Sequence, residues 1–115
     1  MRLRAVAVLA LALALAVGAA ASEDPRVIKV TAKKFEFTPS EIHVKRGEHV
    51  VLELTSLDRK HGFKLPELGI RTEVPAGGTT RVELIAEKPG RFPFACDVFC
   101  GDGHEDMTGT VVVDP

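Results

Sequence analysis

Beyond residue 21 the sequence has no long apolar run, so no internal membrane-spanning helix is expected. It has no cluster of lysine and arginine, which argues against nucleic-acid binding, because neutralising phosphates needs such clusters. Outside those first residues no apolar period of 3.6 runs for three turns, which argues against a helical fold. There is no Ser-His-Asp order, no phosphate-cradling glycine loop and no paired-carboxylate motif, so hydrolysis and phosphoryl transfer have no visible machinery. Tryptophan and tyrosine are absent, and there are two cysteines. A length of 115 residues leaves no room for a two-domain enzyme.

What is present begins with a leader. Residues 5–17 are only Ala, Val and Leu; Arg2 and Arg4 lie ahead of them, and Gly18 and three alanines follow. A basic start, a short apolar core and a small-residue exit are the parts of a secretory signal peptide. The expected organisation is a signal peptide over residues 1–21, a flexible lead-in over 22–26 and one domain over 27–115. Cleavage after Ala21 takes 21 from 115 and leaves 94 residues. Taking Arg2 and Arg4 from fifteen basic residues leaves thirteen against sixteen acids, a net charge of −3. The expected location is periplasmic, or otherwise outside the cytoplasmic membrane, with membrane contact only through an uncleaved leader. A domain this small buries about 60–65% of its unfolded surface, so a metal or a disulfide would help to hold it.

The remaining chain reads as short strands separated by turns. Residues 27–31 are rich in β-branched side chains, 35–37 alternate up to Pro39, and 42–44 alternate up to Gly47. In residues 50–55, Val50, Leu52 and Leu54 fall on one face and Val51, Glu53 and Thr55 on the other. A turn at residues 75–78 precedes alternation over 80–84. Residues 88–90 turn again, Phe92 and Phe94 flank Pro93, and 110–113 form a last strand. This pattern predicts an all-β sandwich or barrel. Two stretches break it and read as functional loops: residues 56–71, which contain His61 ahead of a strand start at Gly62-Phe63, and residues 96–108.

The second loop carries a dense set of donors. Residues 96–107 read Cys-Asp-Val-Phe-Cys-Gly-Asp-Gly-His-Glu-Asp-Met, a C-x3-C-x3-H-x2-M spacing. Two thiolates, an imidazole and a thioether form a soft set that selects copper or zinc, and the thioether favours copper. Gly101 and Gly103 let the backbone curl so that Cys96, Cys100, His104 and Met107 can converge. The competing reading is a Cys96–Cys100 disulfide, which an exported protein with two cysteines permits. A bridge across three residues closes a very small loop and stabilises little.

The segment resembles the CuA motif, the binuclear copper site of cytochrome c oxidase subunit II and of nitrous-oxide reductase. Phe99-Cys100 and Met107-Thr108-Gly109 are similar to the reductase version. Residues 61–73, from His61-Gly62-Phe63 to Thr72-Glu73, resemble the oxidase segment around its first histidine ligand. Residues 89–92 (Pro-Gly-Arg-Phe) fit the lead into the cysteine loop, and Phe37-x-Pro39 with Ile42-x-Val44-x-x-Gly47 looks like the opening of cupredoxins. The resemblance implies a cupredoxin-like Greek-key β-sandwich of seven to eight strands. It implies that Cys96 and Cys100 bridge two copper ions and that His61 and His104 bind one each. It gives Met107 and the backbone carbonyl of Val98 the weak outer positions. Many oxidase members have Glu at the position of Val98, but only its carbonyl is a ligand there, so Val can serve. Those members also carry aromatics, often Trp, where electrons arrive; here Phe63 and Phe99 are the nearest in sequence.

The implied function is one-electron transfer with a redox protein such as a cytochrome c or a respiratory oxidase or reductase, with no substrate turnover by this chain alone. Three other readings use the same residues. One is a copper carrier that delivers metal to an oxidase or reductase. Another is a mononuclear blue copper site of His61, Cys100, His104 and Met107. The last is thiol–disulfide exchange. Asp97, Asp102, Glu105 and Asp106 read as a solvated rim of the loop, or as a docking face for a basic partner. His43 and His49 read as surface side chains, and Arg59 and Lys60 as part of a solvated basic face.

Overall fold

The computed structural model describes residues 25–115. The expected leader and residues 22–24 of the lead-in lie outside the described residues. Nine strands follow: β1 (Arg26–Lys33), β2 (Glu36–Thr38), β3 (Glu41–Lys45), β4 (His49–Ser56), β5 (His61–Leu65), β6 (Ile70–Val74), β7 (Thr79–Ile85), β8 (Gly90–Ala95) and β9 (Thr108–Asp114). They form a four-stranded sheet in the order β2-β1-β4-β7 and a five-stranded sheet in the order β3-β9-β8-β5-β6. The chain therefore changes sheet after β2, β3, β4, β6 and β7. Two pairings, β1 with β4 and β3 with β9, are parallel, which no hairpin can supply. The result is the expected all-β sandwich, with nine strands instead of seven or eight. Among the described residues no helix is long and apolar enough to cross a membrane.

The alternation read from the sequence decides which faces meet. In β3, Ile42 and Val44 are buried while Glu41, His43 and Lys45 are exposed. In β4, Val50, Leu52 and Leu54 are fully buried. Strand β1 starts at Arg26, inside the expected lead-in. Arg26 pairs in register with Val50, and its guanidinium reaches both oxygens of Glu48 (3.1 and 2.9 Å) and the His43 carbonyl (2.9 Å).

The extra strand comes from the stretch read as a loop. Residues 56–71 hold only a short turn before β5, then a one-turn 3₁₀ helix at Pro66–Leu68, then the start of β6. Strand β5 hides from an alternation test because His61, Gly62, Phe63 and Leu65 are all buried. It lies between β8 and β6, and other side chains cover both of its faces at one end.

Phe37, Phe63 and Phe94 meet in the centre, with ring centroids 5.9, 5.1 and 4.9 Å apart. Alternate residues of a strand share a face, so Phe63 carries His61 above it and Phe94 carries Cys96. The trio is thus the floor of one end of the sandwich. Gly109 must lack a side chain, because a Cβ there would overlap the Phe94 ring. Phe94→Ala is expected to lower the unfolding free energy of the metal-free chain by about 3–5 kcal/mol, read as a fall in the urea midpoint.

Candidate metal centre

His61 opens β5, and Cys96 follows the last residue of β8. The loop from Cys96 to Met107 is closed at its base, where the Cys96 amide donates to the Met107 carbonyl at 3.0 Å. Within it, the His104 amide reaches the Gly101 carbonyl (3.1 Å) and the Met107 amide reaches the His104 carbonyl (3.1 Å). Gly101 and Gly103 take φ of 132° and 102°, and the Phe35 ring lies 3.1–3.3 Å from where their Cβ atoms would be. Both glycines are therefore required by backbone and by space.

This folding brings together all six residues picked out from the sequence. The Sγ atoms of Cys96 and Cys100 are 4.0 Å apart, and both cysteines are free and buried. That is about twice the length of an S–S bond. Cys100 Sγ lies 3.7 Å from His104 Nδ1 and 3.9 Å from Met107 Sδ. Cys96 Sγ lies 3.2 Å from the Val98 carbonyl oxygen. From the neighbouring strand of the same sheet, His61 offers a ring nitrogen within 4.8 Å of both thiols. His43 and His49 stay out of this group: His43 is exposed 3.5 Å from Glu41, and His49 is half-buried 3.7 Å from Glu83.

The histidine ring shows what the cavity is built for. His61 is fully buried, and its Nδ1 has no hydrogen-bond partner, a costly state for a polar atom. Its Nε2 meets Asp58 Oδ1 at 2.6 Å. The carboxylate holds Nε2 as the N–H donor, which leaves Nδ1 with a free lone pair on a ring that lies beside both thiols. A soft cation would satisfy Nδ1 and the two sulfurs together, so the donor set fits copper.

Sequence reading missed Asp58. Its position three residues before His61 was the available signal. Burial raises its pKa, but the N–H groups of Lys34 (2.8 Å) and Arg59 (2.7 Å) and the His61 ring outweigh that and bring it to about 2. Burial, followed by the neighbouring Cys96, pushes the Cys100 thiol up to about 11. Two further contacts were also missed. The Gly62 amide donates to Cys96 Sγ at 3.3 Å, and Arg59 Nη1 donates to the Cys100 carbonyl at 3.0 Å. Arg59 is thus a tie between two loops as well as a surface charge. Asp97 belongs to an ion pair with Arg71, whereas Asp102, Glu105 and Asp106 remain exposed. Phe99 is 75% exposed, with its ring 5.9 Å from that of His104.

A nine-stranded sandwich with a buried thiol–imidazole cluster at one end has clear relatives. The cupredoxin-like domain family matches residues 5–113, and the chain belongs to that family. Cytochrome c oxidase subunit 2 of Thermus thermophilus is 36% identical over 86 residues, which is 75% of this chain and 64% of that protein. Nitrous-oxide reductase of Cupriavidus necator is 33% identical over 91 residues, 76% of this chain and 14% of the reductase. The chain thus spans less than two thirds of either relative. Among solved structures, the periplasmic domain of cytochrome oxidase subunit II of Bradyrhizobium japonicum superposes with a TM-score of 0.73 at 21% identity. That match covers 81% of this chain and 86% of the other, and it shows the shared fold.

Proposed function

We propose that this chain carries single electrons through a binuclear CuA-type copper centre, outside the cytoplasmic membrane, between a cytochrome c or similar donor and a respiratory oxidase or reductase. The domain would span residues 27–115, behind an export signal over residues 1–21. The observation that carries the reading is the partnerless Nδ1 of buried His61, in one cluster with two free thiols 4.0 Å apart. Relatives in both oxidase subunit 2 and nitrous-oxide reductase support it.

Cys96 and Cys100 would bridge two ions, His61 and His104 would hold one each, and Met107 and the Val98 carbonyl would take the weak outer positions. Such a pair of ions supplies a site that shares one electron. The protein's part is to keep that site still. Asp58 fixes the tautomer and direction of His61, and the Gly62 amide donates to Cys96 Sγ. The sandwich limits ligand movement, so little reorganisation accompanies each electron. Burial excludes water from Cys96, Cys100 and Met107. His104 and Phe99 reach the surface, where a partner can approach, and the exposed acids Asp102, Glu105 and Asp106 favour a basic one.

The test is copper content together with paramagnetic resonance of the reconstituted protein. Two ions per chain and one unpaired electron split by two copper nuclei are expected. A single ion with one-nucleus splitting defeats the binuclear reading. Met107→Leu should keep both ions and move the reduction potential, because it changes only a weak outer contact; voltammetry against the unaltered protein checks this.

A further inference from the structure

Asp97 lies between two proposed donors, the Cys96 sulfur and the Val98 carbonyl, and it is not free. Arg71, on edge strand β6, grips it with a two-pronged fork: Nε to Oδ2 at 2.9 Å and Nη2 to Oδ1 at 3.1 Å. The fork is the first link of a longer chain of alternating charge. Arg71 Nη1 is 3.4 Å from Glu73, and Glu73 is 3.5 Å from Lys60 Nζ. The chain therefore starts at the residue before His61 and ends at the residue after Cys96. It ties the two ligand-bearing segments together from outside.

Beneath the fork the backbone makes room. A Cβ on Gly62 would overlap Asp97 Oδ1 and stand 3.1 Å from the Asp97 amide nitrogen and 3.0 Å from Val98 Cγ2. The Asp97 carboxylate is thus laid on β5 at the residue whose amide donates to Cys96 Sγ. Arg71 and Asp97 are 43% and 28% exposed, and pairs that open to water add little to global stability. Their effect is on geometry: a planar guanidinium fixes the carboxylate in two places, so it fixes the peptide between Cys96 and Val98.

We infer that Arg71 and Asp97 are positioning residues of the metal centre, holding the Val98 carbonyl and the Gly62 N–H···Sγ contact in place before metal arrives. This rests on the copper reading for its metal-bound consequences, but the contact itself exists in the metal-free chain. A hydrogen bond to a thiolate and a carbonyl at the outer position both act on potential and metal retention.

Arg71→Gln, Asp97→Asn and Arg71→Lys test this, with Arg91→Gln as control, because Arg91 sits near the start of β8, five residues before Cys96, and pairs with exposed Glu41 of β3. In copper-loaded Arg71→Gln and Asp97→Asn, removal of copper by a Cu(I) chelator is expected to be about tenfold to a hundredfold faster, with altered copper hyperfine splitting and a shifted potential. Arg71→Lys keeps the charge without the fork and should recover only part of this. In metal-free reduced protein, the Gly62 amide should exchange with deuterium faster in Arg71→Gln than in Arg91→Gln. Potential, splitting and Gly62 exchange indistinguishable from the control overturn the inference, and so does full rescue by lysine. So does a lower urea midpoint with an unchanged copper signal. If the unaltered protein takes no copper, the copper reading fails and Gly62 exchange alone decides the positioning role.

Discussion

Replacing Cys100 with serine is expected to abolish the two-copper signal. Cys100 is the hub of the cluster: its sulfur faces Cys96 Sγ, His104 Nδ1 and Met107 Sδ at 4.0, 3.7 and 3.9 Å. A serine oxygen is smaller and hard, and its hydroxyl does not ionise at any working pH, so it cannot bridge two soft ions. Copper content should fall to one ion or fewer per chain, and splitting by two nuclei should vanish. Cys96→Ser should behave alike. A buried hydroxyl without a partner costs about 1–3 kcal/mol, so circular dichroism must show that the variant is folded before copper is counted. Unchanged copper content and signal in either variant remove the bridging assignment.

The same thiol gives the pH dependence its sign. Burial and then Cys96 hold Cys100 near 11, so the metal-free thiol is protonated at neutral pH. Copper binds the thiolate, so uptake releases the proton and grows tighter as pH rises toward that value.

Asp58→Ala should have the next largest effect. It removes the partner of His61 Nε2 at 2.6 Å and, with it, the acceptor for the amides of Lys34 and Arg59. His61 is fully buried while the Asp58 side chain is 32% exposed, so water entering the gap can bond Nε2 but does not fix its direction as the carboxylate does. The ring is then free to turn or to change tautomer, and Nδ1 no longer presents a fixed lone pair. Copper affinity, measured by competition with a chelator, is expected to fall about tenfold to a hundredfold. The urea midpoint should fall as well, because the amides of Lys34 and Arg59 lose their acceptor. Asp58→Asn can still accept a hydrogen bond from Nε2–H through its amide oxygen and should recover most of the affinity. Equal affinity in Asp58→Ala and the unaltered protein rules out an orienting role.

Much of the sandwich was readable because its half-buried strands obey a period of two. Ile42 and Val44, and Val50, Leu52 and Leu54, mark the inner faces directly. Strand β5 was readable only as a start at Gly62-Phe63, because a central strand covered on both sides loses that alternation, and His61 at its head looked like a loop residue. Strand β6 does alternate, with Ile70, Thr72 and Val74 turned inward, but a single Gly69 turn after a 3₁₀ helix hid its start. At the site, Cys96, Cys100, His104 and Met107 announce themselves by spacing, since all four lie on one loop. Arg59 and Arg71 do not, since nothing local marks a guanidinium for a partner on a distant segment, and Asp58 has only its place three residues before His61.

Neighbours a few residues apart set the sheet-forming pattern, the soft donor set and the glycines that let the loop curl, so these are written in the chain's local order. The closed fold adds that His61 reaches the cysteines with Nδ1 bare, that Asp58 orients it, and that Arg71 pins Asp97 onto Gly62. Those contacts join residues brought close by the change of sheet after β4 and the pairing of β5 with β8. Registers of that kind are fixed by the closing of the whole core, which no short window of sequence contains.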